Sequence, residues 1–160
     1  MCVDTFPTIT PANVAVWVAA LRQELRRAGI DYRLWAGGEV RLAENTVEWF
    51  RVHGVPTLGE SRCVLVDYWG RSWPEYCDPA IDYLLAEGYQ PILAHPQGMD
   101  FQDAEWNDVL ERLESRGVLL QGNLKCLAGC EGTVTHERSH RLLAARRYHL
   151  LATDMHGTRD

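Results

Sequence analysis

Short apolar runs alternate along this chain with longer stretches whose apolar residues recur at helical spacing. Thr10-Pro11 supplies an N-cap and a first-turn proline, which predicts a helix start. Val14, Trp17, Val18, Leu21 and Leu25 form its apolar face, and Gly29 ends it. A strand is predicted at Tyr32–Trp35, then a helix around 44–53 with Val47, Trp49 and Phe50 inward. The stretch 54–61, with Pro56 and Gly59, reads as a loop before a strand at Cys63–Val66. Asp78-Pro79 opens another helix, with Ile81, Leu84 and Leu85 on one face and Gly88 at its end. Pro91–Ala94 is the next strand. Asp103 begins a helix with Trp106, Val109, Leu110 and Leu113 inward, and Gly117 stops it. A strand at 118–120 leads to Gln121, Gly122 and Asn123, and a helix at 134–146 and a strand at 148–153 follow. Strands alternating with helices of these lengths predict βαβ units and a parallel α/β sheet.

The residues that follow the strands carry the chemistry. Tyr32–Trp35 runs through Ala36-Gly37-Gly38 to Glu39, and Pro91–Ala94 delivers His95 and then Pro96. Leu150–Thr153 delivers Asp154 and, two residues on, His156. The carboxyl ends of buried parallel strands face a common rim. Two acids and two imidazoles gathered there would make an oxygen-and-nitrogen metal site suited to Zn, Mn or Fe. Asp154 and His156 would point to one side if the strand continued through them. Each residue alone is more ordinarily a turn or cap former. Their repetition at matching positions is what makes the case.

Other motifs carry less. His136-Glu137-Arg138-Ser139-His140 matches H-E-x-x-H, the zinc-protease spacing, but 133–141 is polar nearly throughout and reads as the exposed face of an outer helix. Cys126 and Cys130 stand four apart without a second ligand pair, and no cysteine opens a Cys-x5-Arg phosphate loop. Tyr68, Trp69, Trp73 and Tyr76 follow a strand, where they would form an aromatic lip over a pocket or bury their rings in one another.

Composition narrows the class. A net charge of −6 argues against a general nucleic-acid binder. No run approaches the roughly 18 apolar residues of a membrane span, and Met1-Cys2-Val3-Asp4 does not read as a secretory signal. A cytoplasmic protein is the expectation. Five cysteines form no disulfide framework. The expectation for residues 1–160 is a single domain, shorter than a complete barrel of about 250 residues.

Four blocks together resemble a known family. Gly37-Gly38-Glu39-Val40-Arg41, Pro91–Pro96, Leu119–Leu124 and Leu151–His156 are similar, in order and spacing, to the polymerase-and-histidinol-phosphatase (PHP) type tyrosine phosphatases of bacterial capsule and exopolysaccharide systems. The resemblance implies a distorted (β/α) barrel of mostly parallel strands with outer helices, here incomplete at the N-terminus and comprising its C-terminal two-thirds. It implies a cluster of manganese, or another divalent metal, with Glu39 bridging and His95, Asp154 and His156 as ligands. The implied chemistry is phosphomonoester hydrolysis, in which metals polarise the phosphoryl oxygens and supply a hydroxide for in-line attack. The implied partner is a phosphotyrosine protein such as a bacterial tyrosine kinase.

Three departures accompany the resemblance. The chain has no Asp-x-His-x-His segment. Asp4-Thr5-Phe6-Pro7 stands where the family reads Thr-Pro-His. His95-Pro96-Gln97-Gly98 replaces His-Pro-Glu-Arg, so the phosphate-clamping arginine is missing at Gly98, and Arg159 or Arg71 is expected to compensate. An open barrel seam would leave unpaired strand edges, so association into oligomers is expected. The rival reading is a non-catalytic remnant of the fold that binds a partner protein. A zinc protease built on His136 and His140 is a distant third.

Overall fold

A computed structural model describes residues 9–157. The chain forms two compact units, the first holding residues up to Val66 together with Pro74–Pro91, the second Asp67–Trp73 together with the residues from Ile92 onward.

In the first unit, α1 (Pro11–Arg27) starts where the N-cap and proline predict, and the Thr10 side chain accepts from the Asn13 amide at 3.3 Å. None of its residues is buried, and Trp17 and Leu21 on its apolar face are exposed. The strand expected at 32–35 does not form. That segment has no regular secondary structure, with Tyr32 and Trp35 exposed and the Leu34 carbonyl accepting from Arg22 Nε at 2.9 Å. β1 lies instead at Glu39–Arg41, where Val40 is fully buried. Aromatic β-propensity at 32–35 yielded to the burial available at 39–41. α2 (Thr46–His53) buries Trp49 and Phe50, and α3 (Cys77–Ala86) buries Cys77, Ala80, Ile81 and Leu84. Phe50 stacks on Tyr83 with ring centroids 5.9 Å apart, which joins the two helices. β2 (Cys63–Asp67) lies between β1 and β3 (Gln90–Leu93) in the strand order.

In the second unit, β4 (Leu119–Asn123) pairs in parallel with β3 on one side and with β5 (Leu150–Ala152) on the other. The register sets Leu93 beside Leu120, and Asn123 beside Ala152. α4 (Asp103–Ser115) buries all four residues its period singles out, Trp106, Val109, Leu110 and Leu113. Each contributes about 1.5–3 kcal/mol of apolar burial. A short α5 (Leu124–Leu127) and then α6 (Thr133–Ala144) complete the unit. Gly122 is required by close approach, because a Cβ there would meet the Tyr148 ring at 2.7 Å and Leu151 at 2.9 Å. The α/β class with parallel strands is as expected. No helix among the described residues is long and apolar enough to cross a membrane.

The expected last strand is shorter than 148–153. β5 stops at Ala152, and Asp154 takes a left-handed backbone with φ of 50°. The strand therefore does not carry Asp154 and His156 to one face by simple alternation.

Candidate metal centre

β3 ends at Leu93, and His95 follows it with φ 31° and ψ 52°, at the entrance to the 3-10 turn Pro96–Gly98. Apart from Arg146, His95 and Asp154 are the only non-glycine residues with positive φ among those described. Such a backbone costs about 1–3 kcal/mol per residue and persists where the surroundings over-determine it, commonly at functional sites. The ligand atoms of His95 and Asp154 lie within 4.8 Å of each other, and both residues are half-buried. Asp67, at the end of β2, is 4% exposed, and its Oδ1 lies 3.8 Å from His95 Nδ1.

A buried chain of carboxamides ties these strand ends together. The His95 amide donates to Gln121 Oε1 at 3.1 Å. Gln121 Nε2 donates to Asn123 Oδ1 at 2.8 Å and to the Gly122 carbonyl at 2.7 Å. Asn123 Nδ2 donates to Asp154 Oδ2 at 2.9 Å. Gln121 and Asn123 are two apart on β4, so their side chains share one face.

Glu39 opens β1 in the first unit and is half-buried. It belongs to the strand rather than to a loop after 32–35. The His156 side chain is 79% exposed, with Nδ1 at 2.9 Å from the Asp154 carbonyl and 3.8 Å from Asp154 Oδ1. Arg71 is 89% exposed and pairs with Asp100 at 3.1 Å. Arg159 and Asp4–Pro7 lie outside the described residues. A Cβ at Gly98 would meet nothing within 4 Å. In the aromatic loop, Tyr68 packs edge-on against Trp73 at 5.6 Å and beside Phe101 at 6.2 Å, while Trp69 is exposed.

His136 and His140 both lie on α6, with rings edge to face at 4.5 Å. Among the described residues, no group of three or more ligand-type side chains close enough to share an ion includes either of them. The polar reading of this helix misses Arg138. It is 4% exposed and donates to the Met99 and Phe101 carbonyls, each at 2.6 Å, and to Asp103 Oδ1 at 2.7 Å. Its guanidinium lies 4.9 Å from the Trp106 ring centroid, and Trp106 Nε1 donates to the Pro96 carbonyl at 2.7 Å. These contacts pin the segment that follows His95. The hydrogen bond from Arg138 holds the Asp103 carboxyl below the usual carboxylate range.

Asp67, Gln121 and Asn123 also escaped the sequence reading as site residues. A polar residue within or ending an apolar run (the Asp of Val-Leu-Val-Asp, the Gln of Leu-Leu-Gln-Gly-Asn) was the available signal. Below them, Gln97 is buried and donates to Cys126 Sγ at 3.3 Å, while Tyr148 donates to Gln97 Oε1 at 3.0 Å. Burial pushes the Cys126 thiol up to about 11 and the Tyr148 phenol up to about 12. Cys126 is therefore a neutral thiol at neutral pH. An imidazole beside carboxylates, with no thiolate, fits a hard or borderline divalent cation such as Mn, Zn or Fe.

A parallel α/β fold with an acid-and-histidine cluster after its strands defines the class. Residues 7–160 match the family described as capsular polysaccharide synthesis, CpsB/CapC, and the chain belongs to that family. It is 26% identical to CapC of Staphylococcus aureus over 133 residues, 83% of this chain and 51% of that protein. It is 25% identical to the tyrosine-protein phosphatase YwqE of Bacillus subtilis, over 93% of this chain and 58% of that protein. The chain thus spans little more than half the length of these curated relatives. Among solved structures, it is similar to one from the crystal structures of YwqE and of CpsB from Streptococcus pneumoniae, described as unique metal-dependent tyrosine phosphatases. The TM-score is 0.83 at 25% identity, covering 94% of this chain and 60% of that one.

Proposed function

We propose that this chain is a metal-dependent phosphomonoester hydrolase acting on phosphotyrosine in proteins, with Glu39, His95, Asp154 and His156 as metal ligands and Asp67 supporting His95. The observation that carries the reading is the approach of His95 and Asp154 to within 4.8 Å, each held in a left-handed backbone. Family membership supports the chemistry, and the similarity to metal-dependent tyrosine phosphatases supports the substrate. Manganese is the proposed metal, and a bacterial tyrosine kinase in the cytoplasm the proposed partner.

A bound divalent ion would supply positive charge to the phosphoryl oxygens and activate water at neutral pH. The protein's own part is orientation. The Gln121 carboxamide holds the backbone that presents His95, and Asn123 donates to Asp154 Oδ2. Asp67 Oδ1, 3.8 Å from His95 Nδ1, lies where it can orient the imidazole. Arg71, exposed and paired to an exposed Asp100, can be released to meet a phosphate at little cost.

The test is hydrolysis of a phosphotyrosine peptide by the 160-residue chain with added Mn, read beside Mn affinity. The expected result is slow turnover abolished by chelator and by His95→Ala, with weakened Mn binding in His95→Ala and Asp154→Ala. Mn binding unchanged in both variants would remove the proposed site. Turnover that survives exhaustive chelation would remove the metal dependence.

A further inference from the structure

The chain of carboxamides between His95 and Asp154 is almost wholly buried. Gln121 is 3% exposed and Asn123 2%. Burying two uncharged amides is unfavourable unless their hydrogen bonds are made, and here they are made mainly to each other and to the two candidate ligands.

We infer that Gln121 and Asn123 are positioning residues that act as one directional relay, setting the carboxylate plane of Asp154 from the backbone of His95. The inference rests on the metal-site reading above. Every donor in the relay points the same way. The His95 amide donates to Gln121, Gln121 donates to Asn123, and Asn123 donates to Asp154. That order leaves Asn123 Oδ1 as an acceptor and its Nδ2 as the group that meets Asp154. Gln121 is anchored a second time through the Gly122 carbonyl. The relay therefore ends on a carboxylate, which only accepts, and it occupies one lone pair of Asp154 Oδ2. Asp154 lies outside β5, so no ladder hydrogen bond orients it. The side chain of Asn123, opposite Ala152 in register, performs that task.

The supporting network has a measurable signature separate from activity. Removing partners that orient metal ligands typically costs about 10–100-fold in affinity. Asn123→Leu is expected to weaken Mn binding, measured by competition with a fluorescent chelator, by about 10–100-fold. Gln121→Leu should weaken it as well. Because the relay acts as a unit, the double variant should lose no more than the more damaging single variant. Melting of the metal-free chain provides the control for packing, and Asn123→Ser, which keeps a polar group but cannot span to Asp154, replaces Asn123→Leu if the latter does not fold. Affinity within about threefold of wild type in a folded Asn123 variant would overturn the inference, as would multiplying losses in the double variant. His95→Ala and Asp154→Ala separate the two readings. If these leave Mn affinity intact, the site itself is wrong. If they weaken it while the Asn123 variants do not, the site stands and the relay fails.

Discussion

At the scale of single residues, His95 and Asp154 combine two unusual properties, a left-handed backbone and a ligand-type side chain facing a partner. Histidine and aspartate tolerate positive φ better than bulky or branched residues, which makes these positions affordable for the fold. Gly98 is the contrasting case. It stands where the resembled family has an arginine, it is exposed, and a side chain there meets open space. Gly98→Arg is therefore expected to leave the melting temperature unchanged. It should raise turnover of a phosphotyrosine peptide by less than about threefold, or under 1 kcal/mol of barrier. A guanidinium clamps phosphate bidentately, but that contact accelerates hydrolysis only beside a formed metal cluster. A large gain, measured as kcat/KM with saturating Mn, would show that the cluster forms readily in this chain and that the missing clamp limits it.

At the scale of elements, α6 and the start of α4 are joined by the Arg138 clamp and by Arg141, which reaches Asp103 Oδ2 at 3.3 Å. The Asp103 carboxyl titrates below its ordinary value in the folded chain. Its contribution is thus present in full above the unfolded carboxylate pKa and is lost as pH falls through the folded value. Asp103→Asn should be less stable than wild type at neutral pH, and the two should converge in strong acid. Urea unfolding at both pH values checks this, and a difference that grows on acidification would contradict it. H-E-x-x-H was recognisable here as a motif without a site, since its fixed positions lacked a third ligand. The importance of the arginine inside it was not recognisable. Its partners stand 35–39 residues away in sequence, and only the packing of α6 beside the segment after His95 brings them together.

At the scale of the molecule, the proposal of one domain has a thermodynamic consequence. A single domain melts in one transition, and an ion that binds only the folded state raises that transition by mass action. At free Mn a hundredfold above Kd, the stabilisation is about 2.7 kcal/mol. For a domain of this size that corresponds to about 5–10 °C. Calorimetry of the chain with and without Mn is expected to show one endotherm moving upward. Two endotherms, of which only one responds to Mn, would mean that the two compact units unfold independently. An unmoved endotherm would speak against the metal site.

Periodicity determined much of this protein in advance. α1, α4 and β3 lie close to where spacing, capping and apolar runs put them, because those signals are local and strong. His95 was legible for the same reason, as the first polar residue after a buried run. At Tyr32–Trp35, apolar content without burial against a neighbour was not enough to make a strand, and the pairing moved to Glu39–Arg41. β5 likewise ended before Asp154, so the approach of Asp154 to His95 follows from a left-handed turn and not from strand alternation. A polar residue in an apolar run marked Gln121, but its partners in the carboxamide relay had no local signal. The relay exists because the register sets β4 between β3 and β5, and hydrogen bonds between residues about thirty apart form only after that sheet is assembled.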